Sequence, residues 1–304
     1  MKNYWRKYSG VLCGRRAVLF DLNAILKPNF VCACFTILFA CLSSGCDSRD
    51  THESLDGTLW VQSSAEYKVL ARSMYKRAAS NLQQAISDSA WTAALEQRDT
   101  AVEKLPRDTA VILDIDETVL ANTPFQGQMV RERSPYYHEA WMNWVDSASA
   151  EPVPGSLAFI GEAESAGVAV IYVTNRRADK KAATIINLQK LGLHATPENV
   201  LCRGERPDWT SDKSSRRSYV AEDYRVLMLI GDNLNDFFPA RLSTEERDRL
   251  AEQYSARWGR QWYLLPNPLY GSWESAIIGA RKAESDEATL RFKQEAVQGF
   301  DYKK

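Results

Sequence analysis

The chain has 304 residues, enough for one large domain or two modest ones, with 45% hydrophobic and 25% charged residues, an ordinary globular balance. A net charge of −1 argues against nucleic-acid binding by a broad basic surface. GxSxG, GxGxxG and P-loop signatures are absent and no His follows an Arg, so carboxylates remain as the candidates for chemistry.

Taken from the N-terminus, the chain opens with an export signal. Residues 30–42, FVCACFTILFACL, form an uncharged apolar run behind Arg15, Arg16 and Lys27. The run is too short to cross a bilayer comfortably and reads as the apolar core of a signal peptide. It ends in LSSGC, which resembles a bacterial lipobox with Cys46 as the lipidated first residue, although Ser43 stands where Leu is usual. Cys41 is a rival, with bulky Phe39 beside it; a plain cleaved signal or an uncleaved anchor are the alternatives. Residues 1–46 are therefore expected to direct the protein to a bacterial cell envelope, anchored by lipid at the outer membrane or at the periplasmic face of the inner one. Five of the six Cys lie at or before position 46, so the mature chain keeps Cys202 and no disulfide framework.

Residues 47–59 are polar and read as an exposed tether. From Ser63 to about Glu103 the pattern is helical: Gly and Pro are absent, and Tyr67, Leu70 and Met74 recur at three- and four-residue spacing. Together, 47–105 form a tether and an N-terminal helical region. After Pro106 the texture changes. The apolar runs TAVILDID, VAVIYVTNR, NVLCRG, RVLMLIGDNLND and QWYLLPNP alternate with helical stretches. The spacing predicts an α/β domain over 106–304, a Rossmann-like parallel sheet with helices on both faces. An irregular aromatic insertion, about 123–154, interrupts the alternation and is expected to join the N-terminal helix in a mostly helical cap above the sheet's rim.

In such sheets ligands bind beyond the carboxyl ends of the strands, and the polar clusters of this sequence stand there. Asp114 and Asp116 are two apart on an extended segment, so their side chains can point the same way. Two close carboxylates repel unless a cation or a shared proton intervenes, and a hard ion such as Mg²⁺ suits oxygen ligands. Asp232 can supply a third carboxylate and Asp236 follows four residues later. Thr174 and Asn175 offer hydrogen bonds to an anion, and Lys213 a positive charge. This set fits phosphoryl transfer: a nucleophilic carboxylate, cations that neutralise the transferring group, and a second carboxylate for proton transfer.

DIDET, VTNR, DKSSRR and GDNLND resemble the four motifs of the haloacid-dehalogenase-like phosphatases. LDIDETVLANTPFQG, EAWMNWV, PVPG, YVTNR, GDNLNDF and LPNPLYGSWE look specifically like the class C acid phosphatases, bacterial lipoprotein enzymes that hydrolyse 5′-nucleotides and related phosphomonoesters. The resemblance covers roughly residues 60–300. It implies Asp114 as nucleophile and Asp116 as general acid/base. Mg²⁺ would be held by the Asp114 side chain, the Asp116 carbonyl and Asp232, with Asp236 supporting its water shell. Thr174, Asn175 and Lys213 would bind the phosphoryl group. The positions matching the family's nucleoside box are Leu120, Trp141 and Tyr270; Trp141 and Trp144, three apart on a helix, also read as a packing pair. Three positions depart from the family pattern: Ala121 where Asp is usual, Asn235 for one acid of the fourth motif, and Phe125 where Tyr is common. Within the enzyme class the alternative is a broad-specificity phosphatase or phosphotransferase; outside it, a surface lipoprotein that binds ligand without turnover.

Overall fold

The structure, a computed structural model, describes residues 52–279, 281 and 285–299. Cys46, the expected export signal and the first residues of the expected tether lie outside the described residues. In chain order the described elements begin with helices α1 (Leu55–Ser63) and α2 (Ala65–Ser87), then β1 (Thr109–Leu113), β2 (Leu120–Ala121), α3 (Thr123–Glu132), α4 (His138–Ser147) and β3 (Glu151–Pro152). The chain continues through α5 (Ser156–Ser165), β4 (Ala169–Arg177), α6 (Lys181–Lys190), β5 (Val200–Arg203), α7 (Ser214–Asp223), β6 (Arg225–Gly231), α8 (Thr244–Gln253), β7 (Trp262–Leu264), α9 (Ser272–Ile278) and α10 (Asp286–Ala296).

Five parallel strands form the main sheet in the order β5-β4-β1-β6-β7. The chain runs outward from β1 to β5, then crosses back to β6 and β7. The reversal leaves a crevice at the carboxyl ends of β1, β4 and β6. Both faces of the sheet are buried, which explains the continuous apolar runs. Val111 and Leu113 of β1, with Val170 and Tyr172 of β4, pack with Tyr75, Ala78 and Leu82 of α2 and Phe159 and Ile160 of α5. The alternate residues Ala110, Ile112, Ile171 and Val173 join Val220 of α7, Phe237, Phe238 and Trp262 on the other side. Each buried Val, Leu, Ile or Phe among them contributes about 1.5–3 kcal/mol on leaving water.

The N-terminal region differs from its sequence pattern in two ways. The expected tether to residue 59 is already helical from Leu55, because Thr58 and Val61 are buried and Val61 packs with Tyr67 and Leu269. The helical pattern expected to about Glu103 gives way at Ser87, where α2 ends. Arg225 takes over there: its guanidinium donates to the carbonyls of Ala85, Ile86, Asp88 and Trp91 at 2.7–3.0 Å. Beyond it the chain becomes a strap with two short 3₁₀ turns along β6. Ala93 N–H donates to Val226 O (2.7 Å), the Trp91 indole to Leu227 O (2.8 Å), and the Gln97 side chain accepts from Val226 N–H (3.0 Å). These tertiary bonds outcompete the helical propensity of 88–103.

The insertion is pinched off at its base by β2 and β3, an antiparallel pair with Leu120 opposite Pro152 and Ala121 opposite Glu151. Between them, α3 and α4 rise from the rim. The Gln62 side-chain amide of α1 donates to the carbonyl of Thr123 at 2.7 Å, tying α1 to the insertion.

Candidate active site

A cavity of about 1180 Å³ opens over the strand ends, and Asp114, Asp116, Asn175, Lys213, Asp232 and Asp236 line it. Asp114 follows β1 directly, and its N–H still donates to Ile230 O at 2.9 Å, extending the ladder by one residue. The chain then turns sharply. Glu117 adopts a left-handed backbone (φ 58°), and Glu117 N–H bonds Leu120 O while Leu120 N–H bonds Ile115 O, both at 2.8 Å. This turn delivers Asp116 to the same rim as Asp114.

Asp232 follows Gly231, the last residue of β6. A Cβ at Gly231 would lie inside the Asp236 carboxylate, so only glycine lets Asp236 fold back against the strand end. Asp236 closes a capping box with Asn233, accepting from Asn233 N–H at 3.0 Å. Lys213 immediately precedes α7. Asp212 beside it accepts from Ser214 N–H (2.8 Å) and Ala240 N–H (2.9 Å), which fixes the start of that helix.

The result is a buried charge cluster. Lys213 Nζ donates to Asp114 Oδ1, and to Asp236 Oδ1 at 2.6 Å. Carboxylate oxygens of Asp114, Asp232 and Asp236 lie within 4.8 Å of one another. Asp232 takes its hydrogen bonds from neutral donors, the Asn267 amide (2.8 Å) and the Thr118 hydroxyl (3.3 Å). Burial pushes Asp114 up to about 7 against the pull of Lys213, with Asp236 and Asp116 adding to the rise. Burial, then Asp114 and Asp236, hold Asp232 well above the ordinary carboxylate range. For Lys213, burial works downward, but the two aspartates outweigh it and keep the ammonium charged. The cluster is short of positive charge, and its donors are hard oxygens. A divalent cation held by Asp114, Asp232 and Asp236 would supply that charge.

Comparison with known proteins decides the family. The family model described as HAD superfamily, subfamily IIIB (acid phosphatase), matches residues 48–273. The chain belongs to this family. The class C acid phosphatase of Bacillus anthracis has a similar structure, with a TM-score of 0.70 and 31% identity over 83% of this chain and 99% of that one. The same enzyme with tungstate bound matches with a TM-score of 0.71 and 29% identity over 82% of this chain and 98% of that one. Among curated plant proteins, the stem 28 kDa glycoprotein of Glycine max is 27% identical over 56% of this chain and 62% of its own length. Acid phosphatase 1 of Solanum lycopersicum is 26% identical over 52% of this chain and 57% of its own. The chain thus spans about three fifths of these curated relatives.

Within this site, the candidates from sequence separate into two groups. Trp141 and Tyr270 line the cavity, Trp141 in an edge-to-face pair with Phe125 (centroids 5.3 Å apart). Leu120 does not. It is fully buried in the core with Val119 and Val153, because the pairing of β2 with β3 turns this aliphatic position inward. Thr174 does not line the cavity either. It is fully buried on β4, its hydroxyl accepting from Arg176 N–H (3.1 Å) and its carbonyl from Arg216, whereas the next residue, Asn175, is exposed there.

Sequence reasoning missed Arg176, Asn122 and Asn267. Arg176 is 3% exposed and ion-paired with Asp116 at 2.8 Å. It ends the VTNR run, and a charged residue closing an apolar strand was the available signal. Asn122 and Asn267 gave none, since a lone Asn in a turn-rich segment usually serves the turn itself.

Proposed function

We propose that this chain is a Mg²⁺-dependent acid phosphatase of the cell envelope that hydrolyses phosphate monoesters, 5′-nucleotides among them, through an aspartyl-phosphate. The observation that carries this reading is the placement of Asp114 between Lys213 and the Asp232–Asp236 pair, with Asp116 on the same cavity. Asp114 is the nucleophile: its carboxylate oxygen bonds to phosphorus as the ester P–O bond breaks, and Asp116 gives its proton to the leaving oxygen. Water then attacks the phosphorus, Asp116 takes the water's proton, and the Asp114–phosphate bond breaks to release inorganic phosphate. Lys213 and Asn175 bind the phosphoryl oxygens, and a cation held by Asp114, Asp232 and Asp236 would neutralise charge on the transferring group. That the Bacillus anthracis relative carries tungstate, an oxyanion shaped like phosphate, supports an oxyanion site in this fold.

The cavity supports the nucleotide preference. Its volume of about 1180 Å³ exceeds what a phosphate needs, and Phe125, Tyr136, Trp141 and Tyr270 give it aromatic walls. Phosphate release should be measured from a panel of 5′-nucleotides, sugar phosphates and aryl phosphates, with and without Mg²⁺. Turnover of nucleotides above the others, lost to EDTA and restored by Mg²⁺, is expected. Binding of nucleotide without release of phosphate from any ester would sink the enzyme reading.

A further inference from the structure

We propose that Arg176 and Asn122 act as positioning residues that pin one oxygen of Asp116, so that the other is presented to the leaving group. Asp116 Oδ1 accepts three hydrogen bonds, from Arg176 Nη2 (2.8 Å), Arg176 Nε (3.0 Å) and Asn122 Nδ2 (2.9 Å). Oδ2 receives only a longer contact from Arg176 Nε, at 3.3 Å. An Asp carboxyl turns easily about its last torsion, which is broad and two-fold. Three donors on one oxygen remove that freedom and leave Oδ2 as the site that carries the proton.

The donors are themselves held. Trp144 Nε1 donates to Asn122 Oδ1 at 2.8 Å, which aims the Asn122 amide nitrogen at Asp116. Arg176 Nη1 donates to Thr184 Oγ1 at 3.3 Å, and its guanidinium lies 5.8 Å from the centre of the Trp141 ring. Asn122 is fully buried and Arg176 nearly so. Arg176 lines the cavity, but its Nε and Nη2 go to Asp116, with Nη2 also 3.5 Å from Asn122 Oδ1, and Nη1 goes to Thr184, so the fork of the guanidinium is spent on a carboxylate already present. Fixing a proton donor within reach of the leaving oxygen is worth rate because misplacing it by a fraction of its range costs much of general-acid catalysis.

The inference rests on Asp116 being the general acid, and the test separates the two. Turnover is measured with p-nitrophenyl phosphate, whose leaving group needs little protonation, and with a nucleoside monophosphate, whose alkoxide needs it. Asp116→Asn should slow the nucleotide more than the aryl ester. Arg176→Ala should show the same bias, on the order of ten-fold or more in kcat, with KM little changed and with partial recovery on adding guanidinium salt. In the Asp116→Asn background, Arg176→Ala should add no further bias. Trp144→Phe removes the indole N–H that orients Asn122, together with part of the ring, so it should reproduce the bias more weakly if the Arg176 variant does not fold. Equal losses on both esters, with Asp116→Asn still biased, would reduce Arg176 to a structural ion pair. A raised KM on both esters with kcat intact would make it a phosphate ligand instead. No bias in Asp116→Asn itself would overturn the general-acid reading and this inference together.

Discussion

Asp114 is surrounded by like charges and answered by one ammonium, that of Lys213, which it shares with Asp236. As the proposed nucleophile it depends on its charge, because an amide of the same shape attacks phosphorus far more weakly. Asp114→Asn should lower kcat by on the order of 10⁴-fold or more. Its far-UV circular dichroism should match the parent, since one of three crowded carboxylates has been neutralised. Substantial turnover by the folded variant would move the nucleophile elsewhere. Gly231 makes a second point at this scale. Its missing Cβ is the space that the Asp236 carboxylate fills. Gly231→Ala should displace Asp236, weaken Mg²⁺ binding in calorimetry, and cost about 1–3 kcal/mol from overpacking. Unchanged Mg²⁺ affinity would show that Asp236 has no part in holding the cation.

The elements reach the rim because other elements hold their far ends. Helix α2 is the clearest case. It stops at Ser87 because Arg225, the first residue of β6, satisfies the carbonyls that the last turn leaves open. Helix α2 also reaches the site: the Tyr75 hydroxyl donates to Thr118 O at 2.7 Å, under the turn that carries Asp116. Arg225→Met keeps the aliphatic stem and removes the four donated bonds. It should destabilise the protein by about 2–4 kcal/mol, read as a lower midpoint in urea with an unchanged slope. A midpoint equal to that of the parent would mean that water caps α2 as well as Arg225 does.

For the molecule as a whole, the charge cluster links ligand binding to stability. A cation that binds the folded site and not the unfolded chain raises stability by about 2.7 kcal/mol at a hundred times its dissociation constant. The melting temperature should therefore rise with Mg²⁺, and Asp232→Ala should abolish the rise. An identical Mg²⁺ response in Asp232→Ala would remove that residue from the ligand set. The envelope location proposed for the protein depends on Cys46. Stable anchoring takes more than one acyl chain, as a lipoprotein's modified cysteine provides. Cys46→Ser should move the protein from the membrane fraction to the soluble one or leave it unprocessed. Failure of labelled fatty acid to appear on the parent protein would leave a plain exported phosphatase.

The sequence by itself determined the sheet, its five strands and the acids at its rim. Those features follow from local rules: a strand buried on both faces must be apolar throughout, and a polar residue that ends such a run, like Asp114 or Asp232, must stand at the rim. That rule places Asp114, Asn175 and Asp232 at the rim, where they line one cavity with Asp116, Lys213 and Asp236. The tertiary structure decided what depends on a distant partner. Helix α2 ends where Arg225, 138 residues on from Ser87, takes its carbonyls. Leu120 turns into the core because Pro152 pairs with it. Thr174 and Asn175 are adjacent, yet the first is fully buried and the second lines the cavity. Arg176 meets Asp116 only because β4 lies beside β1 in the sheet. Period and composition report a residue's neighbours along the chain; a hydrogen-bond partner sixty residues away is fixed only when the strands have paired.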